Sequence, residues 1–180
     1  MQRDNFEIDQ ARPEDMADIM RLESEGFHEG IREAEEVFRA RRDCFPEGFL
    51  VLRFAGKALG YLCCERWADP PSAEASSFEL GHDPHPRHAA SGKVLYLASM
   101  TIDPRIRGTG AGSRLFNEGR LRIHREAGGL EHEVLLVNED WRYARRIYER
   151  AGFTPAGEIR GFFASLGGPG RAGIVMEKRL

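Results

Sequence analysis

Residues 94–102, Val-Leu-Tyr-Leu-Ala-Ser-Met-Thr-Ile, are almost continuously apolar. They lead through Asp103-Pro104 into the glycine-rich run Arg105-Ile106-Arg107-Gly108-Thr109-Gly110-Ala111-Gly112-Ser113-Arg114-Leu115. A strand of that composition is one covered on both faces. Glycines at 108, 110 and 112 let successive peptide N–H groups turn toward one point without Cβ obstruction. Leu115, Gly119, Ile123 and Ala127 then recur every four residues, the packed stripe of a helix that Gly128-Gly129 ends. The first turn of that helix adds unpaired donors and a positive dipole end. Strand, glycine turn and helix in this order make a place where a chain can hold a phosphate, and Arg105 and Arg107 flank it.

The spacing discriminates among phosphate binders. A nucleotide-hydrolase loop needs Gly, four residues, then Gly-Lys-Ser/Thr, and no such pair follows these glycines. A dinucleotide fingerprint needs its third glycine at position 113, where this chain has Ser113.

At 180 residues the chain suits one domain, 1–180, with a sizeable core. Its formal net charge of −3 gives no reason to expect nucleic-acid binding. No apolar run approaches the ~20 residues that cross a bilayer, and the polar start Met1-Gln2-Arg3-Asp4-Asn5 is unlike a secretory signal. Cys44, Cys63 and Cys64 form neither an even disulfide set nor a Cys-x-x-Cys pair, which fits a reduced compartment. Adjacent Cys63 and Cys64 in a strand point to opposite faces and read as small buried hydrophobes. A cytoplasmic location is the expectation.

Phe6 to Asp9 alternates like a strand, and Arg12-Pro13-Glu14-Asp15 introduces a helix carrying Met16, Ile19, Met20 and Leu22. Residues 31–42 read as a second helix, ended by Phe45-Pro46. Phe49 to Phe54 and Leu59 to Trp67 form a hairpin around Ala55-Gly56-Lys57. Residues 68–92 have no sustained periodicity and read as a long surface excursion, a candidate substrate flap or dimer contact. His82, His85 and His88 recur every three residues, but Pro84 and Pro86 prevent a helix from aligning them, so no metal is expected. Glu133 to Val137 is a fifth strand, Trp141 to Ala151 a further helix, and two strands around 156–164 and 173–178 flank Gly167-Gly168-Pro169-Gly170.

Arg105-x-x-Gly108-x-Gly110 resembles the pyrophosphate signature of the GNAT superfamily of acetyl-CoA-dependent N-acetyltransferases. A second stretch strengthens the resemblance: Asn138, Ala144, Tyr148 and Gly152-Phe153 stand where these enzymes carry an Asn, a small helix residue, a Tyr and a Gly-Phe pair. The resemblance implies a single-domain α/β (α+β) fold: a mixed, mostly antiparallel twisted sheet of about seven strands, splayed after the fourth and flanked by about four helices. It further implies a ternary complex in which an amine attacks the thioester of the cosubstrate acetyl-CoA directly. The main chain of Met100, Thr101 and Ile102 would bond the pantetheine arm and polarise the thioester carbonyl. Gly108, Thr109, Gly110, Ala111, Gly112 and Ser113, with Arg105 and Arg107, would hold the pyrophosphate. Asn138 and Ala144 would border the pantetheine, and Tyr148 would protonate the departing thiolate.

The general base is the weak point. Where several relatives carry Glu or His on the strand before the loop, this chain has Val94 and Tyr96. Glu65 on the neighbouring strand is the candidate, with His88 or a water relayed by Ser99 as substitutes. Glu23, Glu25, Glu29, Glu33, Glu35 and Glu36, in the region that builds the acceptor side, form an acidic rim suited to a small-molecule amine. The expected partners are that amine and a possible second copy in a homodimer, with no nucleic acid and no membrane. A non-catalytic acyl-CoA-binding module and a protein or peptide N-acetyltransferase are the alternatives.

Overall fold

The apolar run at 94–102 is the middle strand of a seven-stranded sheet in the computed structural model, which describes residues 6–164 and 172–180. The strands are β1 (Glu7–Gln10), β2 (Phe49–Phe54), β3 (Lys57–Trp67), β4 (Val94–Ile102), β5 (His132–Asn138), β6 (Thr154–Ile159) and β7 (Gly173–Arg179), in the order β1-β2-β3-β4-β5-β7-β6. Every pairing is antiparallel except that of β4 with β5. The α-helices among the described residues are α1 (Met16–Gly26), α2 (Glu35–Cys44), α3 (Ala111–Ala127) and α4 (Arg142–Arg150).

The two-residue period of the strands sorts the core into two layers. Phe49 and Val51 of β2 and Tyr61 and Cys63 of β3 pack on one face against Met16, Ile19 and Leu22 of α1 and Phe38 of α2. Leu50, Leu52, Leu62 and Cys64 face the other way, against Leu115, Phe116 and Ile123 of α3. Cys63 and Cys64 are thus both buried, on opposite faces, as the sequence suggests. Gly119 lets α3 settle close on the sheet, since a Cβ there would lie 3.2 Å from Leu62 and 3.3 Å from Leu50.

Two irregularities open the sheet where a site is needed. The β4–β5 ladder runs only from Val94↔His132 to Leu97↔Leu135, and the strands diverge beyond it. On the other edge of β4, Leu97 pairs with Cys64 and Ser99 with Cys63, leaving Ala98 as the extra residue of a bulge. The peptide groups of residues 98–102 that face β5 therefore have no strand partner.

Three expectations need correction. The second helix begins at Glu35, because residues 29–31 close a 3₁₀ turn that buries Ile31. The strand expected at 156–164 is β6 at Thr154–Ile159, and Gly161 (φ +67°) sits in the turn that follows. The glycine-rich 167–170 stretch lies outside the described residues. The 68–92 segment is more than a surface excursion: it buries Phe78 against Tyr96 (centroids 5.7 Å apart) and lays Ala73 against Gly157 of β6. Its histidines diverge, His82 bonding Glu65, His85 bonding Asp83, and His88 bridging Trp67.

Candidate active site

The turn between β4 and α3 supplies converging donors. Gly108 (φ +77°) and Gly110 (φ +92°) both occupy the left-handed region that side chains avoid. The N–H groups of Ile106, Arg107 and Thr109 are taken by Asp103, Pro104 and Ile106 carbonyls, whereas those of Gly108, Gly110, Gly112 and Ser113 find no acceptor among the described residues. Thr109 Oγ1 donates to the Ile106 carbonyl (2.7 Å) and lies 3.4 Å from the Ala111 amide, fixing the turn from inside. A glycine turn with four open amides at the head of a 17-residue helix fits a pyrophosphate.

The flanking arginines also bond within the turn. Asp103 is fully buried and accepts from the Arg105 amide and, in a two-pronged bond of 2.9 and 2.7 Å, from the Arg105 guanidinium. Those bonds, with Arg21 at 3.1 Å, hold the Asp103 carboxyl well below the usual carboxylate range. Arg107 Nε donates to the Ile102 carbonyl at 3.1 Å. Both arginines shape the start of the turn, and Arg105, 75% exposed, is clamped to Asp103. Thr101 turns its side chain to α1, where a Cβ on Gly26 would stand 2.4 Å from Thr101 Oγ1, and it pairs with Tyr61 of β3.

The divergence of β4 and β5 opens into a cavity of about 70 Å³. Ser99 and Met100 from β4, Glu23 and Phe27 at the end of α1, and Trp141 and Tyr148 from the α4 segment all line it. The Tyr148 ring packs 4.9 Å from Phe116, and its hydroxyl has no protein partner among the described residues. Burial alone pushes its pKa up to about 12. Ala144, one turn earlier on α4, packs on the same cluster. Asn138 is buried and its Oδ1 accepts from the Asp140 amide at 2.9 Å, shaping the turn into α4.

Glu23 is the acid that the sequence hides. It falls four residues after Ile19 on the buried stripe of α1, and its carboxylate meets the Tyr61 hydroxyl at Oε2 and the Glu33 amide at Oε1, 3.0 Å away. Ser99 Oγ lies 3.0 Å from the Tyr61 hydroxyl, continuing the chain toward β4. Burial pushes the Glu23 pKa up to about 7, against the pull of the two donors. A carboxyl poised there can exchange a proton near neutrality.

Glu65 sits differently. It is buried behind the cavity wall, with Oε1 accepting from Arg41 Nε (2.7 Å) and Oε2 from Trp67 Nε1 and His82 Nε2 (2.9 Å each). Burial would raise its pKa, but His82 and Arg41 hold it below the ordinary value. His82 Nδ1 bonds the Glu79 carbonyl at 2.7 Å, so both ring nitrogens donate. Against burial, Glu65 keeps the imidazolium favoured. Arg41 completes the cluster through Glu33, which also accepts from the Gly81 amide at 2.9 Å. The cluster straps the 68–92 segment to α2 and β3. Of the six glutamates of the acidic rim, Glu23 and Glu33 line the cavity, while Glu25 pairs with Arg21 and Glu35 with Arg39.

Residues 15–153 match the model of the family described as Acetyltransferase (GNAT) family. No curated protein sequence matches the chain. Among solved structures, the GphF GNAT-like decarboxylase in complex with isobutyryl-CoA is similar at 22% identity, covering 96% of this chain and 98% of that one with a TM-score of 0.77. The phosphinothricin acetyltransferase of Sinorhizobium meliloti in complex with AcCoA is similar at 16% identity, 98% and 89% coverage, and a TM-score of 0.69. The ribosomal-protein-S18-alanine N-acetyltransferase of Escherichia coli is similar at 16% identity, 97% and 93% coverage, and a TM-score of 0.68. At these identities the likeness is one of fold.

Proposed function

Because the chain belongs to the GNAT acetyltransferase family, we propose that it transfers the acetyl group of acetyl-CoA to the primary amine of a small molecule by direct attack in a ternary complex. The observation that carries this reading is the single cavity shared by Glu23, poised near neutrality, and Tyr148, held protonated. Acetyl-CoA supplies an activated acyl thioester and a pyrophosphate handle. The open amides from Gly108 to Ser113 hold that handle. The unpaired edge of β4 from Ala98 to Ile102 offers main-chain groups to the pantetheine as a neighbouring strand would, and to the oxygen that gains charge. Glu23 takes a proton from the ammonium group of the acceptor, whose own pKa is about 10, and Tyr148 gives a hydrogen bond to the departing sulfur. Glu23 stands in the role expected of Glu65, whose oxygens are occupied by Arg41, Trp67 and His82.

The strapped 68–92 segment supports a small acceptor over a protein. It contributes Leu80 to the cavity wall and is tied to Glu33 and Glu65 beside it. Thiol release from acetyl-CoA, followed over a panel of small primary amines and peptides with product masses recorded, tests the reading. Turnover with small amines and not with peptides is the expected result. Thermal stabilisation by acetyl-CoA without turnover on any amine would overturn it in favour of a binding module.

The turn has its own test. A Cβ at Gly110 meets no atom within 4 Å, so the expected effect of a side chain there comes from the φ of +92°. Strain of about 1–3 kcal/mol drives a β-branched residue to rotate the peptide, and the amides then no longer converge. Gly110→Val is expected to weaken acetyl-CoA binding by about tenfold or more, measured by calorimetry on the folded variant. An unchanged Kd would remove the turn from the coenzyme site.

A further inference from the structure

The cavity combines two carboxylates with walls of rings and aliphatic chains. Phe27, Trp141 and Phe163 form a continuous aromatic run, with centroids 5.7 and 5.5 Å apart, and Leu80 and Ile31 add aliphatic wall beside it. Among the described residues, the cations that bond Glu33 and Glu65 are Arg41 and His82. Arg41, with 2% of its side chain exposed, lies between Glu33 and Glu65, and His82 bonds Glu65. Glu33 enters the cavity bonded to Arg41, whereas the hydrogen bonds that Glu23 accepts among the described residues come from neutral donors, the Tyr61 hydroxyl and the Glu33 amide, and Arg41 acts on it through space alone.

These surroundings sort acceptors by charge. An ammonium group gains from Glu23 and from the ring faces. An acid group on the same molecule would be desolvated beside Glu23 with no cation among the described lining residues to balance it. A second ammonium further along the molecule would lose its hydration against Leu80 and Ile31, and the other lining carboxylate, Glu33, is already bonded to Arg41. Size adds a limit, because about 70 Å³ is well under the ~150 Å³ of a cavity that takes a benzene ring.

Resting on the acetyl-transfer reading, we propose that the acceptor is a primary amine borne on a short apolar chain, with no acid group and no second charge. Discrimination lies in the wall that Leu80, Phe27 and Trp141 build around the Glu23 carboxylate.

Four ligands test this by titration calorimetry into the full chain saturated with coenzyme A, so that binding is read without turnover. They are butylamine, norvaline (butylamine with an added carboxylate), norvalinamide and 1,4-diaminobutane. Butylamine is expected to bind at least about tenfold more tightly than norvaline and 1,4-diaminobutane, the signature of a desolvated charge. Norvalinamide, the same size as norvaline but without its acid charge, is expected to recover most of that loss. In Leu80→Glu, a carboxylate placed in the wall should shift the affinity ratio toward 1,4-diaminobutane by about fivefold. Norvaline or 1,4-diaminobutane binding as tightly as butylamine, or no amine binding to the coenzyme complex, would overturn the proposal. The expected order of binding without thiol release from acetyl-CoA would instead sink the acetyl-transfer reading and leave the selectivity standing.

Discussion

Glu23→Gln is expected to lower kcat/KM for amine acetylation by about 10²–10⁴-fold at neutral pH, the range for a positioned general base, while acetyl-CoA binds as it does to the parent. The substitution keeps the size of the side chain and leaves the Tyr61 hydroxyl and the Glu33 amide with polar partners, so lost folding does not account for the loss. The pH dependence gives a second readout. Glu23 works only when ionised, and burial has pushed its pKa up to about 7. Its active fraction therefore rises as pH rises through about 7 and levels off above. The parent should show that ascending limb and Glu23→Gln should lack it. Tyr61→Phe removes a donor that favours the ionised carboxylate, so the limb should move to higher pH. A Glu23→Gln enzyme that keeps its rate, or keeps the limb, would take Glu23 out of the chemistry.

What the sequence made legible is what neighbours in the chain decide. The bounds of β2 and β4 coincide with the apolar runs at 49–54 and 94–102, because both strands are buried by composition alone. Gly108 and Gly110 read as turn residues because alternate glycines free the peptide groups from Cβ obstruction, and both adopt a positive φ, whereas Gly112 at the same spacing belongs to α3. Partners far away in sequence decide the rest. Arg105, read in sequence as a phosphate ligand, also makes a two-pronged bond to the fully buried Asp103, which its neighbours in the chain do not announce. Glu65 looks like an available carboxylate until Arg41, 24 residues away, closes on it. Glu23 reads as one of six rim glutamates, yet Tyr61 on β3 captures it from 38 residues away. A signal for Glu23 did exist: an acid four residues after Ile19 and seven after Met16 lies on the apolar stripe of α1, where a carboxylate without a purpose is costly. Ile31 misled in the opposite direction, because its fit to the helical period of 31–42 comes from burial in a 3₁₀ turn that walls the cavity.

Tyr148→Phe is expected to lower kcat by about 10²-fold with little change in acetyl-CoA affinity. The ring contacts with Phe116 and Phe153 persist in the variant, so only the hydroxyl is lost. With its pKa pushed up to about 12, Tyr148 keeps its proton throughout the working range. Complete transfer from so weak an acid to an ordinary thiolate, whose pKa is about 8.5, would run uphill. The burial that lifts Tyr148 narrows that gap, because a thiolate in the same surroundings is destabilised too, as the raised pKa of buried Cys63 illustrates. The hydroxyl thus acts on the sulfur as charge develops, and its worth depends on how basic that sulfur becomes. Acetyl donors with progressively more acidic thiols should therefore shrink the deficit of Tyr148→Phe relative to the parent. A deficit that stays constant across such donors would mean that Tyr148 only packs against Phe116, and that the sulfur departs without it.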